Sequence, residues 1–135
     1  MKLSFTASNV TWNESGLDYL LKNPLGPVGR SLSKRGLRVA NAAKRQVGVN
    51  TGALKRSIST SHKRDARGQF VRVGSPLNYA LYHHEGTKPH IITPNRSQYL
   101  VFTKEKRVIY ATSVRHPGTE PNRYLTDNLY LALED

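Results

Sequence analysis

The chain has 135 residues, 37% of them hydrophobic and none of them cysteine, so it suits one domain with a modest core and excludes disulfides, thiolate metal sites and a cysteine nucleophile. Its formal charge is +12, spread unevenly: residues 30–72 carry twelve Lys or Arg against the single acid Asp65, a net of +11, while the remainder nets +1. No apolar run approaches the ~20 residues of a membrane helix, and the N-terminal segment lacks a signal peptide's apolar stretch, so a soluble intracellular protein without a membrane partner is expected.

In chain order, the alternation of Leu3, Phe5 and Ala7 with polar residues predicts a short strand. SGLDYLLKN predicts a short helix with Ser15 as N-cap and Leu17, Leu20 and Leu21 inward, broken by NPLGPVG. Residues 27–47 are the clearest element. Val28, Leu32, Gly36, Val39, Ala43 and Val47 step by three or four and mark one helical stripe, with Arg30, Lys34, Arg38, Lys44 and Arg45 mostly off it. Pro27 fits the first turn and Gly48 the C-terminal cap. Thr51 is placed to cap a short helical turn anchored by Leu54.

Two strands follow, from Ser57 to Lys63 and from Gln69 to Val73, around the charged turn RDARG. They form a hairpin whose tip, residues 62–69, is expected to be mobile. NYALYHHEGT reads as extended, ending in a turn at Gly86. HIIT, YLVFT and RVIYATSVR read as strands, the last two joined by the turn KEK. Leu125, Leu129 and Leu133, four apart, predict a C-terminal helix with Thr119 or Asn122 as its candidate cap. The expectation is one α+β domain over residues 1–135, with an antiparallel β-sheet and the long basic helix and C-terminal helix packed on it.

The stretch YHHEGTKPH raises the question of a metal or catalytic centre. His83, His84, Glu85, His90 and His116 are the candidate ligands. In an extended segment His83 and Glu85 share one face and His84 points away, and no HExxH pair on a helix is present. The favoured reading is a polar interface loop. There is no nucleophile elbow, phosphate-binding loop or dinucleotide fingerprint, so neither an enzyme nor a cofactor is expected. The segregated basic block points instead to a polyanionic partner, nucleic acid or an acidic protein surface, against the plainer alternative of a solvated face. Eleven of its twelve cations are the candidate partner- or DNA-facing residues: Arg30, Lys34, Arg38, Lys44, Arg45, Lys55, Arg56, Lys63, Arg64, Arg67 and Arg72. With Phe70 the lone aromatic interleaved among them, any DNA contact would be electrostatic and not sequence-reading.

Three segments carry a resemblance. Val49, Thr51, Gly52, Leu54, Ser57 and Ile58 form a V-x-T-G-x-L-x-x-S-I pattern behind the basic helix. Tyr79, Ala80, Gly86 and Thr87 form a Y-A-x-x-x-x-x-G-T turn, and Pro121, Tyr124 and Leu125 a Pro-x-x-Tyr-Leu step before the last helix. In this order and spacing they resemble the tail-completion (head–tail joining, neck or connector) proteins of long-tailed double-stranded DNA phages. The match covers about residues 28–133 and leaves residues 1–26 outside. Many relatives have Glu-Phe-Gly-Thr where this chain has His84-Glu85-Gly86-Thr87, and Phe at the position of Tyr124. The resemblance implies a structural virion protein, assembled in the host cytoplasm into a homo-oligomeric ring, most often of six copies. Its neighbours would be head-completion (stopper) and tail-terminator or tail-tube proteins, with genomic duplex DNA passing through the channel. The alternative is a non-specific basic DNA-binding protein.

Overall fold

The computed structural model describes residues 11 and 13–134, so the predicted strand on Leu3, Phe5 and Ala7, and Trp12, lie outside it. The described residues form an α+β fold. Helix α1 (Glu14–Lys22) leads into α2 (Pro27–Gln46), then α3 (Ala53–Ser57). The strand pair β1 (Ser59–Asp65) and β2 (Gly68–Gly74) precedes α4 (Ala80–Glu85). Strands β3 (His90–Ile92), β4 (Leu100–Lys104), β5 (Arg107–Ala111) and β6 (Val114–His116) follow, and a 3-10 helix (Thr126–Ala132) closes the chain.

Helix α1 starts one residue before the expected cap. Asn13 Oδ1 accepts from the Gly16 amide at 3.0 Å and from Ser15 Oγ at 2.7 Å, so Asn13 is the N-cap and Ser15 lies inside the first turn. Leu17 is half-buried, but Leu20 and Leu21 are exposed, because this short helix lays only one edge on α2 and β2.

Helix α2 begins at Pro27 and buries Gly36, Val39, Ala40 and Ala43. It does not end on a glycine cap. Val47 turns extended while its amide still donates to the Ala43 carbonyl at 2.9 Å, and Gly48 does not enter the left-handed region. Val47 is 2% exposed; seating its side chain in the core directs the chain out of the helix before Gly48 is reached. The core is Ala40, Ala43, Val47, Leu54, Ile58, Ala80 and Tyr124, with Val73, Leu77 and Leu125 against it. Alanine on α2 keeps the layers close, and Tyr124 supplies the volume.

Among the described residues the strands form three separate two-stranded antiparallel sheets, not one sheet. The pair β1–β2 stays in register to its tip, with Asp65 opposite Gly68, and lies on α2. Pairing alternates faces, so Thr60, His62, Val71 and Val73 share the side toward the helix. There Gly36 admits Val71. The expected single strand RVIYATSVR is broken: β5 pairs with β4 up to Ala111, and β6 pairs with β3 from Val114. Glu105 and Lys106 both hold positive φ, 51° and 66°, the geometry of a two-residue hairpin turn whose twist suits its strands.

Two further expectations are corrected. Residues 80–85 are helical, not extended. The Ala80 amide donates to the Leu77 carbonyl and the His83 amide to Tyr79, both at 3.0 Å; Ala80 and His84, one turn apart, are the buried pair. The dominant polar residues conceal this one-turn periodicity. The expected C-terminal helix is present, wound as a 3-10 helix. With about three residues per turn, positions four apart do not stack, and Leu129 and Leu133 are 55% and 80% exposed. Neither Thr119 nor Asn122 caps it; both are engaged upstream.

Candidate functional site

The three motif segments converge on Tyr124, which is 1% exposed. Leu54 and Ile58 from the first segment and Ala80 from the second join it in the core. The Tyr124 hydroxyl points at the Ala80 carbonyl at 3.5 Å, and burial raises its pKa above the ordinary tyrosine value. Around α3, Thr51 Oγ1 accepts from the Ala53 amide at 3.3 Å, while Gly52 takes the N-cap itself with φ 76°. Ser57 Oγ donates to the Leu54 carbonyl and meets Ser75 Oγ, both at 2.7 Å, tying α3 to the end of β2.

The second and third segments lock through backbone. Thr87 and Thr119 exchange amide-to-carbonyl hydrogen bonds at 3.0 Å in each direction. Gly86, with φ 73°, runs so close that a Cβ would stand 2.4 Å from the Thr119 carbonyl oxygen and 2.8 Å from the Pro121 nitrogen. Gly118 mirrors it, with φ 90° and a Cβ position 2.2 Å from the Thr87 carbonyl oxygen. Sequence reasoning singled out Gly86 and missed Gly118, although HPGT is a turn signal of the same kind. Asn122 donates its amide to the His83 carbonyl at 3.1 Å. Leu125 is half-buried at the start of the last helix, whereas Val49 and Tyr79 are exposed beside an open groove that Thr51, Gly52 and His83 also line.

The five metal-ligand candidates fall into two groups. His83 and His84 sit on α4 with ring centroids 5.8 and 5.3 Å from that of Tyr124, His84 edge-on. His84 is 7% exposed. Its Nδ1 meets Glu85 Oε1 at 2.6 Å, and its Nε2 lies 3.3 Å from Thr126 Oγ1. Hydroxyl, imidazole and carboxylate thus stand in line, but the imidazole is packed beneath Tyr124 and works as a strut between α4 and the last helix. His90 and His116 face each other across β3–β6 at 5.1 Å. Among the described residues no cluster of three or more His, Asp or Glu side chains could hold a metal ion, and no helix is long and apolar enough to cross a membrane.

The basic residues do not form one patch. At about 100° per residue, Arg30, Lys34, Arg38, Lys44 and Arg45 fall within about 120° of arc, opposite the buried stripe of α2. Arg38 also reaches the Glu134 carbonyl and pins the C-terminal segment across the helix. Lys55 and Arg56 are exposed on α3, with Arg56 donating to the Thr51 carbonyl at 3.3 Å. On β1–β2, strand parity puts Lys63 and Arg72 on the outer face and Arg64 on the face toward the helices, where it lines a hollow with Asp18 and Lys22 of α1. Arg67 is at the tip, its amide donating to Asp65 Oδ1 at 2.8 Å.

Compared with known protein families, with curated proteins and with solved structures, the chain matches none.

Proposed function

We propose that this chain is a structural protein of the phage neck, a ring component that completes the tail end and joins it to the DNA-filled head. The observation that carries the reading is the order and spacing of the three motif segments across residues 49–125. They also share a physical purpose: their residues build one junction, around Tyr124 and the Thr87–Thr119 bridge. That leaves the basic face of α2 available for an acidic neighbour in the neck or for the DNA that passes it. The proposed partners are further copies of the chain in a ring of about six, as the resemblance implies, the adjoining stopper and tail-terminator or tail-tube proteins, and duplex DNA in the channel.

Silencing the gene and viewing the particles by electron microscopy tests this. Separate DNA-filled heads and full-length tails are expected; normal joined particles overturn the reading. The five cations on one face of α2 favour a second reading, non-specific DNA binding. It predicts affinity for free duplex that falls steeply with salt, where the neck reading predicts little affinity for the isolated chain.

A further inference from the structure

The hairpin β4–β5 is apolar on both faces. Cross-strand pairing puts Leu100, Phe102, Ile109 and Ala111 on one side and Val101, Val108 and Tyr110 on the other. The first side has partial cover: Leu100 and Phe102 line a small apolar hollow with Ile92 and Val114 of the β3–β6 pair, and Val101 touches its edge. The second side is otherwise open. Val101, Val108 and Tyr110 are 61%, 58% and 68% exposed, and Tyr99, just before β4, is 43% exposed. A strand apolar on both sides is the pattern of a strand covered on both sides, and a two-stranded hairpin alone is marginal in water. Elsewhere, the last helix exposes Leu129, Tyr130 and Leu133 at 55%, 58% and 80%.

Charge selects between the occupants. Residues 88–117, which hold the hairpin, carry six Lys or Arg against Glu105, a net of +5. Residues 120–135 carry four acids against Arg123, a net of −3. Stacking hairpin on hairpin in a two-fold dimer would oppose like charges. Laying the hairpin on the C-terminal segment of another copy joins apolar to apolar and brings a segment of net positive charge to one of net negative charge. The outer face itself holds Val101, Thr103, Val108 and Tyr110, with Lys106 at the adjoining turn and Lys104 and Arg107 directed to the other side. We infer that the outer face of β4–β5 docks on the Leu129–Tyr130–Leu133 surface of a second copy. Such a contact uses two different patches, so it is head-to-tail and propagates into a ring when its rotation closes. Full side chains of this size present roughly 150–250 Å². At the exposures given, the two surfaces together remove roughly 650–1,050 Å² from water, the size of a small, weak interface. The inference rests on the self-assembly part of the proposed function and not on the phage assignment.

The absence of native cysteine makes the test direct. Full-length Val108→Cys and Leu133→Cys chains, both substituted at exposed positions, are mixed and treated with a short bismaleimide. The mixture is expected to give at least ten times more covalent dimer than either variant alone. Adding Asp127→Lys and Glu134→Lys to the Leu133→Cys chain should abolish the excess. Equal yields in all samples overturn the inference, as does strongest coupling in Val108→Cys alone, which would mean hairpin on hairpin. Sedimentation of the unsubstituted chain separates the levels. An oligomer without the mixed adduct overturns this contact and leaves self-assembly standing. A monomer at every concentration overturns both, while particle morphology still decides the neck reading independently.

Discussion

Gly36 sets the distance between α2 and the β1–β2 pair, and Gly36→Ala tests that claim. In an exposed helix interior the change would stabilise by about 1 kcal/mol, because alanine gives up less backbone freedom on folding. Here the new methyl would stand 2.5 Å from Val71 Cγ1 and 3.4 Å from Val71 Cβ, with Thr60 Cγ2 at 3.7 Å. The obstructing carbon is one bond from a β-branched centre on a paired strand, so it has little room to rotate away. Overpacking of this kind costs roughly 1–3 kcal/mol. The net expectation is a loss of about 0–2 kcal/mol, which leaves the sign of the single variant weakly informative. The cycle with Val71→Ala decides it. With Val71 truncated the clash is gone, and Gly36→Ala should then stabilise by about 1 kcal/mol, its intrinsic propensity gain. The coupling between the two changes is therefore expected at about 1–3 kcal/mol, measured by urea unfolding of all four chains followed by circular dichroism. A coupling near zero, with Gly36→Ala stabilising in both backgrounds, would refute close approach of helix and hairpin at this residue.

The other predictions concern the junction and the basic face. Gly86→Ala meets both a left-handed φ of 73° and a carbonyl oxygen 2.4 Å from the new carbon, so urea unfolding should show a loss of more than about 2 kcal/mol; an unchanged midpoint would argue against the Thr87–Thr119 bridge. Tyr124→Phe gives up one long hydrogen bond and should cost less than about 1 kcal/mol, whereas Tyr124→Ala should cost roughly 3–5 kcal/mol. Because the folded protein holds the Tyr124 proton more tightly than the unfolded chain does, the unfolded chain ionises first and stability falls as pH rises past about 10. That part of the alkaline loss should be missing in Tyr124→Phe, and identical pH profiles would rule out this source. Replacing Arg30, Lys34 and Arg45 by Glu should leave the circular dichroism spectrum intact and block head–tail joining in complementation; joined particles would remove the basic face from the interface.

Helix α2 was legible in the sequence because its signal is long: twenty residues of one period with proline at the start. The β1–β2 pair and the KEK turn were legible because alternation and turn chemistry agree there. Helix α4 was hidden because six residues allow barely one repeat of the helical period, and the residue that completes it, His84, is polar. The C-terminal helix was legible, but its winding was not, for the opposite reason. Leu125, Leu129 and Leu133 have helical spacing, yet only Leu125 gains burial, and a tighter 3-10 winding lets Asn128 and Asp127 reach Gln46 at 2.6 and 3.1 Å. The division into three small sheets follows from pairing between distant segments, which local pattern does not specify. The basic block was visible as composition, but only the folded chain divides it between the face of α2, α3, the outer hairpin face and the hollow beside α1.

That division bears on what the motifs identify. Apart from Val49 and Tyr79 at the groove, the motif residues are chiefly engaged in holding the chain together: Leu54, Ile58, Ala80 and Tyr124 by packing, Gly86 and Thr87 by backbone approach, Ser57 by its hydroxyl. The histidines of YHHEGTKPH belong to the same construction, as side chains braced on Tyr124 and across β3–β6. A junction of this kind makes most of its residues unsuited to partner recognition, since they are already in use. On the proposed reading, recognition falls to surfaces the junction positions but does not consume, namely the cationic face of α2, the outer face of β4–β5 and the Leu129–Tyr130–Leu133 surface. If the chain has the proposed joining role, substitutions at the junction should lower stability and joining together, while substitutions on those surfaces should lower joining alone; loss of joining only with loss of stability would count against those surfaces as interfaces.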